Sequence, residues 1–204
     1  MIKNIIFDLG RVLVTFDWDI LVRKIGFTEE ETEIFRQKVM KDRWNEFDRG
    51  VMEDEEVVSY IKEAIPGMED KFDEFLSRVS EAIEAYPYSE DWVKDTKAKG
   101  YNVYILSNYP KNLFLKGCQN QLKFTELADG KVVSAFVKMI KPDPAIYEHL
   151  LNKYGLKAEE CIFIDDLEAN VCAAESLGIH GIQFKGQEDA IREIERITRE
   201  ESNR

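Results

Sequence analysis

The sequence predicts an α/β fold: a doubly wound parallel sheet covered on both faces, with a helical segment inserted after the first strand. Three observations predict it. Short apolar runs at residues 5–7, 101–106, 161–164 and 179–184 each stop at a turn or polar residue, as buried strands do. Helix-patterned stretches alternate with these runs from residue 89 onward, which is the order a parallel sheet requires. The length of 204 residues exceeds the roughly 150 of one domain and leaves room for a compact insert.

In chain order, Ile5, Ile6 and Phe7 form a buried strand that Asp8-Leu9-Gly10 breaks, leaving a carboxylate at its C-terminal end. Residues 16–86 depart from the alternation. Thr28 followed by Glu31 resembles a capping box, residues 53–65 are helix-like, and Phe72, Phe75, Leu76, Val79 and Ile83 recur at the helical spacing of packing residues. This segment is expected to be an insert of three or four helices, dividing the α/β core into residues 1–15 and 87–204. Ser89 can cap a helix that Gly100 stops, and the strand 101–106 then runs into Ser107-Asn108. Residues 131–133 suit a shorter edge strand. A helix with Pro144 in its first turn ends before Gly155, in keeping with the preferences of those residues. Residues 161–164 lead to Asp165-Asp166, residues 167–177 form a helix that Gly178 ends, and 179–184 is the last strand. The polar tail after Glu195 is expected to fray.

Composition narrows the functional classes. Twenty-eight basic against 40 acidic side chains give a formal charge of -12, which disfavours nucleic-acid and anionic membrane partners. The excess is local: residues 16–86 hold 10 basic and 20 acidic side chains, whereas the remainder holds 18 and 20. A small phosphate bound to the core is compatible with that split. With 44% apolar and 11% aromatic residues the chain can bury a core. Cys118, Cys161 and Cys172 form no metal-type or disulfide-type pattern. With only His149 and His180, the chemistry must rest on carboxylates, hydroxyls, lysine and backbone. No leader and no stretch of ~18 apolar residues is present, so a cytoplasmic location is expected.

In open parallel sheets ligands bind beyond the carboxyl ends of the strands. Asp8, Ser107, Lys141 and the Asp165-Asp166 pair lie at or just past such ends. Singly, each is a turn former, a helix cap or a solvated lysine. Together they make a site. Three converging carboxylates repel unless a cation lies between them, and an oxygen-only ligand set selects a hard ion such as Mg2+, which keeps waters and a phosphate oxygen. Lys141, extended by Pro142, and Ser107 with the N–H groups of an adjacent helix start would bind the phosphate. In such surroundings Asp8 can attack phosphorus and form an aspartyl-phosphate.

The segments FDLGRVLV (7–14), ILSN (105–108), KPDPAIY (141–147) and FIDDLEANV (163–171) resemble, in order and spacing, the four motifs of the haloacid dehalogenase superfamily. The chain is most similar to its Rossmann-like sugar-phosphate phosphatases with a helical cap, including the cap segment WNEFDRG at 44–50. The resemblance implies Asp8 as nucleophile and metal ligand, the Gly10 carbonyl as a second ligand, and Asp165 and Asp166 as the acidic end of the Mg2+ site. It implies that Ser107 and Asn108 grip the phosphate and that Lys141 steadies both the phosphate and the charge on Asp8. The partner is then a small phosphorylated metabolite.

One departure stands out. Many phosphatases of the superfamily carry a second aspartate two residues after the nucleophile, as general acid and base, and here Gly10 stands there. Asp17 or Asp48 would have to replace it. On the cap, Trp44, Phe47, Asp48 and Arg49 either reach the leaving group, with Arg49 on an anion, or pack within the cap, with Gly50 turning the chain between helices. Two other functions stay open: a phosphate-binding protein of little turnover, which Gly10 favours, and a metal-independent 2-haloacid dehalogenase, which the acidic pair opposes.

Overall fold

The computed structural model describes residues 1–202. The first strand, β1 (Asn4–Phe7), is fully buried. Five α-helices follow: α1 (Trp18–Ile25), α2 (Glu29–Phe35), α3 (Trp44–Arg49), α4 (Asp54–Lys62) and α5 (Glu69–Arg78). That exceeds the expected three or four. The additional elements are short: α2 runs through a π-helical turn, Arg36–Met40, into the single helical turn and a half of α3, too brief for periodicity to register. The Thr28–Glu31 capping box is present, and Gly50 closes α3 in the left-handed region at φ 63°.

The α/β part continues with α6 (Ser89–Ala98), β2 (Asn102–Ser107), α7 (Lys111–Cys118), β3 (Gly130–Val133), the short α8 (Ser134–Val137), α9 (Pro144–Tyr154), β4 (Cys161–Asp165), α10 (Glu168–Ser176), β5 (His180–Gln183) and α11 (Gln187–Ser202). The five strands form one sheet in the order β3-β2-β1-β4-β5, and each neighbouring pair is parallel. Ser89 is not the cap of α6; it is the first helical residue, and its hydroxyl donates to the Leu13 carbonyl at 2.5 Å. The expected fraying after Glu195 is also corrected. Helix α11 runs on to Ser202, with Ile197 buried and Arg196 paired to Glu193 and Glu200, because an apolar stripe beneath a charged outer face gives the helix something to pack. Residues 203–204 lie outside the described residues.

Alternation along the strands builds two cores. Ile5 and Phe7 point to one face with Val103, Ile105, Ile162 and Ile164, while Ile6 points to the other with Tyr104, Leu106 and Phe163. The second face is closed by α9 and α10 through Ile146, Tyr147, Leu150 and Ala174. The first is continuous with the interior of the inserted helices. There Phe35 is fully buried among the rings of Trp18, Phe27, Phe72 and Phe75, at 4.9 to 6.2 Å between centroids. Phe72 and Phe75 are packing residues, as their spacing predicts. Among the described residues no helix is long and apolar enough to cross a membrane.

Candidate active site

Strand order decides what meets at the sheet's carboxyl edge. Since β1 is flanked by β2 and β4, with Phe7 level with both Ile105 and Ile164, the residues just beyond, Asp8, Leu106 and Asp165, lie side by side. Lys141 reaches into this edge from the loop before α9. Its Nζ donates to Asp165 Oδ2 at 2.6 Å and to the Leu106 carbonyl at 3.0 Å, and lies 2.9 Å from Asp8 Oδ1. The lysine and Asp165 are fully enclosed. The Ser107 hydroxyl lies close enough to Asp8 to favour its charged form.

The two acids of the Asp165-Asp166 pair occupy different environments. Asp165 Oδ1 accepts from the Leu167 N–H at 2.9 Å, and the Asn170 amide donates to both Asp165 oxygens at 3.0 Å. With Lys141 added, its acceptor sites are largely engaged. Asp166 keeps partial exposure, lines the cavity above the strand ends, and has the Arg11 guanidinium 4.0 Å away. Carboxylate oxygens of Asp8, Asp165 and Asp166 lie within 4.8 Å of one another.

The electrostatics follow from this crowding. Burial, together with the charge of Asp165, pushes Asp8 up to about 7 even though Lys141 opposes the shift. Burial and Asp165 likewise raise Asp166. Burial alone would lower the Lys141 ammonium, but Asp8 and Asp165 reverse the direction and hold it charged. Three carboxylates against one enclosed lysine leave a site short of positive charge. A divalent, oxygen-loving cation fits that donor set.

Other expected residues fall differently. Asn108 binds no open ligand position with its amide: Nδ2 donates to the Lys141 carbonyl at 3.0 Å, and Oδ1 accepts from the Lys141 N–H at 2.9 Å. It therefore sets the position of the lysine loop. The helix start expected beside Ser107 is also displaced, since α7 begins only at Lys111. Arg49 does not line the cavity; it faces Glu46 at 3.7 Å. Its place at the end of α3 turns it outward, and the cations that do line the cavity are Arg11, Arg36, Lys41 and Lys141. Asp17 is exposed and outside the cavity lining.

Asp48 is where the insert meets the core. It is buried and lines the cavity, and its Oδ1 has no hydrogen-bond partner. Burial, with the charge of Asp8, pushes it up to about 8. Its backbone is clamped: the Ser134 hydroxyl donates to the Asp48 carbonyl and accepts from the Tyr109 N–H at 2.9 Å. Gly50 completes the clamp, as a Cβ there would stand 2.6 Å from the Ala135 carbonyl oxygen. At Gly10, by contrast, a Cβ would meet nothing within 4 Å, so packing does not impose glycine at that position. Ser134 and Tyr109 lie outside the four motifs, and Asn170 lies within the last of them with no role implied for it. Ser134 follows β3 directly, as Asp8 follows β1, so the strand-end rule applied to the edge strand would have found it.

A family model described as haloacid dehalogenase-like hydrolase matches residues 2–178, and the chain belongs to that family. It is 28% identical over 184 residues to the sesquiterpene phosphatase astK of Aspergillus oryzae, covering 89% of each chain. It is 24% identical over 201 residues to phosphatase MT3486 of Mycobacterium tuberculosis, covering 87% of this chain and 85% of that one. Among solved structures, the HAD family enzyme bt-2542 of Bacteroides thetaiotaomicron, in complex with magnesium and inorganic phosphate, is similar at TM-score 0.71 and 25% identity, covering 91% of this chain and 95% of that one. The protein is thus an enzyme of a hydrolase family whose relatives act on phosphate esters.

Proposed function

We propose that this enzyme is a Mg2+-dependent phosphatase that hydrolyses small phosphomonoesters through an aspartyl-phosphate on Asp8. The observation that carries it is the enclosed Asp8-Lys141-Asp165 network with Asp166 open to the cavity beside it. The magnesium and phosphate complex of the Bacteroides relative supports the same reading. Asp8, Asp166 and the Gly10 carbonyl would hold the cation, which supplies charge neutralisation for the phosphoryl group when bound.

Asp8 then attacks phosphorus while the ester P–O bond breaks. Lys141, held by Asp165, Leu106 and Asn108, keeps the Asp8 carboxylate oriented and offsets charge on the phosphoryl oxygens. The departing oxygen takes a proton, and water later attacks the phosphoryl group, releasing phosphate and restoring the Asp8 carboxylate. Gly10 has no proton to give. Asp48, the buried carboxyl that the insert presents to the cavity, is the group we assign to that step. Sugar phosphates are the substrates that the motif resemblance implies.

The test is Asp8→Asn, assayed by phosphate release from an aryl phosphate with and without Mg2+. Turnover by the parent should require the metal, and the variant should lose at least about a thousandfold, the scale of removing a reacting nucleophile. Undiminished turnover by the variant removes the nucleophile.

A further inference from the structure

We infer that the alcohol this site releases is a hydrocarbon one, aromatic or isoprenoid in kind, so that the substrate is its monophosphate ester. The inference rests on the phosphatase reading above and replaces the sugar esters implied by the motif resemblance. It comes from the wall of the cavity. The volume is about 510 Å3, within the range that encloses a drug-sized ligand, and far more than a phosphate needs.

Polar groups are distributed unevenly in that volume. Asp8, Arg11, Lys141, Asp166, Asn108 and Asn170 gather at the strand ends, where the phosphate would bind. Away from them the wall is made by Phe16, Trp18, Met40, Trp44, Ile83 and Leu113. The Phe16 and Trp44 rings lie 6.0 Å apart, forming one apolar surface. Leu167, half exposed, extends this surface at the mouth.

Of the polar side chains interspersed with the apolar wall, Thr15 and Arg36 already have partners. The Thr15 hydroxyl donates to the Ala82 carbonyl at 3.2 Å and accepts from the Glu84 N–H at 3.0 Å. Arg36 pairs with Glu33 at 3.2 Å and lies over the Trp18 ring at 4.9 Å. Asn45 and Lys41 are exposed, at the opening. Among the described lining residues, the buried polar atoms left without a partner are Asp48 Oδ1 and the Tyr109 hydroxyl. Tyr109 is close enough to feel the charge of Asp48, and both atoms need a polar ligand atom beside them. The bridging ester oxygen, or one hydroxyl, meets that condition. A hexose brings several hydroxyls, and each one desolvated against Trp44 or Met40 without a partner costs about tenfold in affinity. A hydrocarbon group loses nothing there and gains from burial.

The full chain, saturated with Mg2+, is assayed for phosphate release from 1-naphthyl phosphate, geranyl monophosphate, glucose 1-phosphate and glucose 6-phosphate. The two apolar esters should exceed both sugar esters in kcat/KM by about a hundredfold. Geraniol should inhibit competitively and glucose should not. Phe16→Ser, its fold checked by circular dichroism, should raise KM for the apolar esters about tenfold with a smaller change for the sugar esters. Sugar esters turned over as well as or better than the apolar ones, or a Phe16→Ser effect equal on both groups, overturns the inference and leaves the phosphatase standing. No release from any of the four esters overturns the phosphatase reading itself, and this inference with it.

Discussion

At the strand ends the polar groups are tied to one another: Lys141 has three oxygen partners, and Asp165 is bonded by Lys141, Asn170 and the Leu167 N–H. Across the same cavity, Asp48 Oδ1 on the inserted helices and the Tyr109 hydroxyl just past β2 are buried with no partner among rings and aliphatic side chains. In the first region Lys141 and Asp165 are paired before any substrate arrives. In the second, the cost of burying unpaired polar atoms is carried by the free enzyme and is relieved only by a ligand. On the proposed function this difference divides the tasks: the sheet edge would organise the reaction, and the insert would select what is released.

The strongest way to break the comparison is Lys141→Met. Removing one member of an enclosed ion network leaves buried charge uncompensated, at about 3–5 kcal/mol, so thermal unfolding should drop by roughly 10 °C. Phosphate release should fall by about a thousandfold. A midpoint within about 2 °C of the parent, by circular dichroism, would show that the network is not organised as described.

Asp48→Asn tests the other side, and its two effects have opposite signs. Phosphate release at neutral pH should fall by about 10²-fold, the lower end of general acid catalysis. Stability without metal should rise. The folded-state pKa of Asp48 is raised to about 8, so between the unfolded value near 4 and that value the folded protein binds the extra proton. Its stability therefore declines as pH rises through this window, whereas the amide does not titrate. The gap in melting temperature between variant and parent should widen from pH 5 to about pH 8 and level off above it. A gap that stays constant with pH would remove the raised pKa.

Arg49→Ala gives the smallest expected effect. With its side chain facing Glu46 outside the cavity, stability should change by less than about 0.5 kcal/mol and kcat/KM by less than about twofold. A large loss in kcat/KM would return Arg49 to the substrate and show that the insert closes further than it does here.

Much of the sheet edge was legible in the sequence because its logic is one-dimensional. A parallel sheet exposes ligands at strand C-termini, so Asp8, Ser107 and Asp165-Asp166 could be placed from the ends of apolar runs. The helix Pro144–Tyr154 carries its start and stop signals in Pro144 and Gly155. The insert was harder to read. Its helices are short, and the direction of a side chain near a helix end turns by about 100° per residue, enough to put Asp48 inward and Arg49 outward.

The sequence by itself determined the parallel α/β class, and it set the expectation of a helical insert after the first strand and of carboxylates and a lysine at the strand ends. Hydrophobic alternation, caps and turn residues act over a few neighbours and are written locally. Only the tertiary structure decided that Asp165 is locked beneath the site while Asp166 faces it, and that Asn108 holds the lysine loop. It also decided that the cavity beyond the phosphate end is walled mainly by apolar side chains. Those outcomes depend on which groups from distant segments share one volume, where burial and pairing, and not residue type, set what a side chain can do.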